Sequence, residues 1–252
     1  KRYPHPSDLR TPVALFVRER NGVPSIMASA FLIDKNRGLF ASAKHFVGLS
    51  SDGECKVFFA GKVYDGFIVA LPAITDVVVI KIMGNFNSSN FPEPYDFASA
   101  VKIGDKVFAR GIHPHSKALQ IGKAVLPIFQ KYYGMVWTKS EFTFDDLPGR
   151  VTDTHFNIGK VGGAEEAELI QGLELGHTYI RLKMDDDHQQ RFAGLSGGPA
   201  VNENNELVGI NGAESIEEAV LDQNGLRIKY NNLHLVPIAE LVKLKPVLAG
   251  LR

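Results

Sequence analysis

The sequence predicts an all-β protein made of two β-barrel-like halves, with one helix at its C-terminal end. Three observations carry this. Short runs rich in β-branched and aromatic residues recur between turn signals along most of the 252 residues. Residues 84 to 100, "GNFNSSNFPEPYDFASA", lose that periodicity and gain Pro, Asn and Ser, as a connector does. Helical spacing emerges only in "IAELVKLKPVLAG", where Ile238, Leu241 and Val242 share one face before Pro246 breaks the pattern. The expected division is a first half over 1–83, the connector over 84–100, and a second half with the helix over 101–252, together one domain.

The elements follow in order. "TPVALFVRER" and "PSIMASAFLID" flank Asn21-Gly22, a strong two-residue hairpin signal. "DKNRG" is a turn, "LFASA" a short buried strand, and "KVFFAGKVYDGFIVAL" two strands around Ala60-Gly61. "DVVVIKI" is a buried strand beginning at Asp76. That makes about six strands in the first half, at the turn spacing of a barrel or sandwich. In the second half the strand-like stretches are "DKVFARGI", "ALQIGKAVLPIFQ", "YYGMVWT", "HTYIRLKM", "GPAVN", "ELVGING" and "LRIKYNNLHLVP".

Composition narrows the function. Lys+Arg and Asp+Glu both number 28, so no basic surface is available to attract nucleic acid over a long range. No apolar run approaches the roughly 20 residues needed to span a bilayer. The N-terminus lacks both an initiating Met and the apolar segment of a signal peptide, so a processed or trimmed form is expected. Cys55 is the only cysteine, which forbids an intramolecular disulfide and fits either a reducing compartment or export without disulfides. Within "ECKVFF" it reads as a small buried strand residue.

Chemistry is concentrated in "FAGLSGGPAV", residues 192–201. Ser196 stands among Gly194, Gly197 and Gly198, which suits either a tight turn or the cradle of a nucleophile. A nucleophilic serine needs a general base, a group to orient that base, and backbone N–H donors for the oxyanion. Glycines would let the N–H groups of Gly194 and Ser196 point at one spot, and would let Gly197 and Gly198 approach a substrate backbone. Pro199 would open the next strand.

"GLSGGPAVNENNELVGI" resembles the nucleophile segment of trypsin/chymotrypsin-like serine proteases, and two further segments match. "GLFASAKHFVG" resembles the family's Thr-Ala-x-His stretch, and "AITDVVVIKI" places Asp76 at a buried strand 31 residues after His45. "ASAFLIDKNRGLFASAKHFV" and "LHLVPIAELVKL" resemble the opening and the end of the HtrA/Deg-type protease domain. A PDZ module, which often follows that domain, is not expected within these residues.

The resemblance implies a chymotrypsin-like double barrel of two six-stranded antiparallel barrels. It implies a serine endopeptidase acting through an acyl-enzyme, with His45 as general base, Asp76 as its orienting carboxylate and Ser196 as nucleophile. The N–H groups of Gly194 and Ser196 would form the oxyanion hole, and no metal or organic cofactor would be required. By analogy, Asn211, Gly212, Ala213 and Glu214 would lie beside the substrate, with Gln190 near the base of the pocket for the residue preceding the cut. No carboxylate is assigned there, so a small or medium apolar side chain is expected. The expected partner is a protein or peptide substrate.

Two departures stand out. Leu195 precedes the serine, where trypsins carry Asp, so it cannot pair with a newly cut α-amino group and no trypsin-style zymogen activation is expected. From Asp76 to Ser196 is 120 residues, and the surplus falls in 140–176, read as rim loops that could engage a regulatory partner. A trypsin-fold binding module without catalysis is the alternative, and an esterase with the same triad a third reading. Other side chains have plainer readings. The carboxylates of "FDDLPGRVTD" compete with Asp76 but read as lying in polar loops, His113 and His115 in "GIHPHS" read as a solvated loop, and "MDDDHQQ" as an exposed acidic loop.

Overall fold

Two closed antiparallel barrels form the computed structural model, which describes residues 11–46, 53–70, 72, 75–115, 125–133, 141–157, 178–188, 194–222 and 225–250. The first barrel consists of β1 (Val13–Arg20), β2 (Val23–Asp34), β3 (Leu39–Ser42), β4 (Glu54–Phe59), β5 (Lys62–Ala70) and β6 (Val78–Ile82), in the order β1-β2-β3-β6-β5-β4. Its hairpins turn where the sequence places them. Asn21 and Gly22 have φ of 55° and 74°, and Ala60 and Gly61 have 48° and 76°. Two successive positive φ values match the strands' right-handed twist, which is why Gly stands second in each pair. β6 begins at Val78 rather than at Asp76, leaving the aspartate in the turn before the strand.

β7 (Lys106–His115), β8 (Glu141–Phe156), β9 (Tyr179–His188), β10 (Pro199–Asn202), β11 (Leu207–Asp222) and β12 (Gly225–Pro237) form the second barrel, in the order β10-β11-β12-β9-β8-β7. Here the structure corrects several expectations. "EFTFDDLPGRVTDTHF", expected as rim loop, is β8, paired with β7 over 141–150 and with β9 over 149–156. Pro148 stands where, among the described residues, β8 has only β7 beside it, since pairing with β9 begins at Gly149 and Met184, and a strand paired on one side is where a sheet tolerates proline. His113 and His115 belong to β7 and Asp185–His188 to β9, not to loops. Residues 158–176, the rest of the expected regulatory segment, lie outside the described residues.

Another correction is a helix. α1 (Val125–Tyr133) occupies the end of "ALQIGKAVLPIFQ" and the first two residues of "YYGMVWT", both expected as strands, the rest of each lying outside the described residues. Pro127 falls in the first turn, where no intrahelical bond needs its N–H. Phe129 and Tyr133, four residues apart, share a face with ring centroids 4.8 Å from each other. Phe129 is fully buried, packs 5.5 Å from Phe58 of β4, and joins Val13, Leu15, Val17, Ile112 and Phe144 in a cluster bridging both barrels. Tyr133 Oη donates to Glu19 Oε1 at 2.8 Å. Tyr133→Phe is expected to lower stability by about 1 kcal/mol, the net worth of one hydrogen bond, as a shift of the urea midpoint at constant slope.

Each barrel has its own interior, around Phe16, Phe40 and Ile80 in the first and Leu182, Val208 and Leu235 in the second. A third core fills the space between them, where Phe31, Val79, Tyr179 and Ile210 meet the C-terminal segment. That segment is two short helices, α2 (Ile238–Lys243) and α3 (Lys245–Gly250). Leu241, Leu244 and Leu248 are buried, whereas Val242, expected on the apolar face, is 40% exposed. Pro246 sits in the first turn of α3 and so separates two helices instead of ending one. Among the described residues no helix is long and apolar enough to cross a membrane. Cys55 is buried on β4, and burial pushes its thiol up to about 12.

Candidate active site

The antiparallel pairing of β3 with β6 brings His45 and Asp76 together. Ser42 at the end of β3 pairs with Val78 at the start of β6, so the residues just beyond both ends emerge at one edge. There a single 3-10 turn, Lys44–Phe46, presents His45. Asp76 meets it twice: the His45 backbone N–H donates to Oδ1 at 2.8 Å, and Nδ1 lies 2.8 Å from Oδ2. The Asp76 side chain is only 4% exposed, against 22% for His45. A carboxylate so buried and so paired holds the ring in one orientation. Tyr179 senses the same charge. Burial first, and the Asp76 carboxylate second, push its phenol well above the usual range.

Ser196 sits in the turn between Gly194 and Pro199, and its Oγ donates to the Gly212 carbonyl at 2.9 Å. Gly194 and Gly197 have φ of +92° and +82°, conformations that glycine adopts without cost. The loop is fastened at many points. The Ser196 carbonyl accepts from Ser29 N–H at 3.0 Å, and Gly197 N–H donates to the Asn211 carbonyl at 2.7 Å. The Leu195 carbonyl accepts from Gly198 N–H at 3.0 Å and from Asn211 Nδ2 at 3.3 Å. Among the described residues no backbone carbonyl accepts from the N–H of Gly194 or Ser196.

The motif's glycines serve a purpose other than the one their positions suggest. A Cβ on Gly197 would lie 2.2 Å from both the Ser29 carbonyl and Ser42 Oγ, and one on Gly198 would lie 2.0 Å from the Arg110 carbonyl. Both glycines therefore admit the protein's own strands β2, β3 and β7, not a substrate backbone. Pro199 opens β10 as expected. Leu195 is fully buried in the interior of the second barrel, so an apolar side chain anchors the loop.

The remaining site candidates distribute unevenly. Asn211 is fully buried and donates to the Arg110 carbonyl at 2.8 Å as well as to Leu195. Gly212 lies at a bulge in β11, with its neighbours Ala213 and Glu214 paired to His234 and Leu233 of β12. Gln190 lies outside the described residues. Asp146, one of the competing carboxylates, is engaged by the buried Arg110, whose Nε donates to it at 2.9 Å. Sequence reasoning missed Ser29 and Tyr179. The only signal for Ser29 was its small-residue setting, Ala28-Ser29-Ala30, and Tyr179 carries none at all.

Comparisons with known proteins agree with this architecture. Residues 28–210 match the model of the trypsin-like peptidase domain. No curated protein matches the sequence. Among solved structures, the active form of the Rv3671c protease of M. tuberculosis is similar at 16% identity and a TM-score of 0.58, over 94% of this chain and 82% of that one. An inactive form of the Rv3671c protease aligns at 16% identity and 0.57, over 95% and 89%. A serine endoprotease from Yersinia pestis aligns at 17% identity and 0.53, over 95% and 64%. With a double barrel, a family match over most of its length and these neighbours in fold, the chain belongs to the trypsin-like peptidase domain family.

Proposed function

We propose that the protein is a serine endopeptidase using Ser196, His45 and Asp76. The observation that carries the reading is the two-point clasp of Asp76 on His45, at 2.8 Å through both the backbone N–H and Nδ1, beside a serine in a glycine-rich turn. With Nδ1–H given to Asp76, the imidazole Nε2 is the basic nitrogen. The Ser196 hydroxyl turns from the Gly212 carbonyl to Nε2 and gives up its proton as Oγ attacks a peptide carbonyl. The N–H groups of Gly194 and Ser196 receive the developing oxyanion, His45 returns the proton to the leaving amine, and water then hydrolyses the acyl-enzyme ester.

The substrate side of the cleft supports a polypeptide. Beyond Gly212, β11 continues to Asp222 with β12 along one edge, and among the described residues no strand pairs with its other edge. An extended chain adding there supplies main-chain hydrogen bonds in register, the usual way a sheet edge binds peptide.

Labelling with a fluorophosphonate tests the proposal. Intact-mass spectrometry should show one adduct on the wild type, located at Ser196 and lost in Ser196→Ala. A folded wild type that takes no adduct would overturn the reading in favour of a binding module built on the same fold.

A further inference from the structure

The nucleophile loop is held from the first barrel by one side chain that is itself completely buried. Ser29, on β2, is 0% exposed. Its Oγ lies 2.8 Å from the Gly194 carbonyl and 3.0 Å from the Ile112 carbonyl, and accepts from the Ile112 N–H at 2.7 Å. Its backbone N–H donates to the Ser196 carbonyl at 3.0 Å, and its carbonyl accepts from Ser42 Oγ at 2.7 Å. One residue thus touches the first barrel, β7 of the second, and both ends of the Gly194–Ser196 segment.

The consequence follows from peptide planarity. In a trans peptide the C=O and N–H of one unit point in opposite directions, so pinning the carbonyl fixes the N–H. The Leu195 carbonyl, held by Gly198 and Asn211, therefore fixes the Ser196 N–H. The Gly194 carbonyl has Ser29 Oγ as its hydroxyl partner, and it shares its peptide unit with the Leu195 N–H. That unit lies between the Gly194 and Ser196 N–H groups, so releasing the carbonyl lets the 194–195 peptide rotate and frees the two donors to turn relative to each other. A close fit leaves no room for a different arrangement of Ser29, since a Cβ on Gly111 would lie 2.7 Å from its Oγ.

We propose that Ser29 is a positioning residue, whose hydroxyl holds the Gly194–Leu195 peptide and so keeps the oxyanion-binding N–H groups of Gly194 and Ser196 in fixed relation to each other. The inference rests on the endopeptidase reading for its kinetic meaning, but the geometry stands apart from it. Ser29 touches neither substrate nor reacting atoms, and acts through Gly194.

The test is Ser29→Ala, with two measurements on protein shown to be folded by its thermal melt. The first is kinetic. Loss of one oxyanion donor costs on the order of 10²- to 10³-fold in rate, and a donor made mobile should cost about 10- to 100-fold. That loss should fall on kcat with KM held, and a peptide boronate, which mimics the tetrahedral state, should weaken by the same factor while the corresponding peptide alcohol, which forms no tetrahedral adduct, does not. The second is amide NMR, independent of turnover. The Gly194 and Ser196 resonances, single in the wild type, should broaden or double in the variant. If kcat and boronate affinity are unchanged, or if KM rises in step with the loss, the proposal fails. If the wild type neither labels nor cleaves, the endopeptidase reading fails, and unchanged Gly194 and Ser196 resonances would then sink the positioning role as well.

Discussion

Asp76→Asn is expected to lower kcat about 10⁴-fold with little change in KM, the magnitude seen when the corresponding side chain is changed in the general serine-protease scheme. The reason lies in the two-point clasp. The His45 backbone N–H needs an acceptor at Oδ1, so an amide at position 76 would turn its oxygen there and offer its NH₂ group to Nδ1. Nδ1 would then have to accept, which places the ring proton on Nε2. A protonated Nε2 cannot take the Ser196 proton, so geometry survives while the tautomer is wrong. Steady-state kinetics on a peptide substrate checks this, and a loss below about tenfold would show that Asp76 does not set the tautomer. A spectrophotometric titration gives a second readout. Removing the charge should bring the pKa of Tyr179 down, because the Asp76 carboxylate is one of the two influences pushing it up.

The first barrel was legible almost strand by strand because its code is local. Asn21-Gly22 and Ala60-Gly61 demand two positive φ values in succession, and that demand is visible in the letters. β8 was hidden for the opposite reason. "FDDLPG" is acidic and contains Pro148, yet Arg110 engages Asp146 and the one-sided pairing excuses the proline, both of which are tertiary facts. α1 was hidden by its β-favouring composition, Val125 and Ile128 beside three aromatics. Packing Phe129 onto Phe58 outweighs that weak preference.

The site divides along the same line. His45, Asp76 and Ser196 could be singled out from three short segments, because each stands within three residues of a strand end. What fastens them could not. Gly197 and Gly198 looked like room for a substrate and are room for Ser29, Ser42 and Arg110. Ser29 contacts Gly194 across 165 residues of chain, a separation at which no local pattern survives.

Acid is expected to unfold the protein in part through one histidine beside the cleft. His234 of β12 is 1% exposed, stacks flat on Phe156 of β8 at 4.7 Å, and pairs across the ladder with Ala213. Burial first, and then the Arg181 charge on β9, bring its pKa down to about 3 from 6.5. Tyr179, also on β9, lies 6.4 Å away and stays neutral. Between pH 6.5 and 3 the unfolded chain binds a proton at this position and the native chain does not, so stability rises with pH across that window. It is fully present above pH 6.5 and lost as the pH falls toward 3. A shift of this size corresponds to on the order of 5 kcal/mol. In His234→Phe, which keeps an aromatic ring against Phe156, chemical denaturation at pH 3 to 8 should give a curve flatter than wild type by about that amount. Parallel curves would mean that carboxylates alone govern the acid limb.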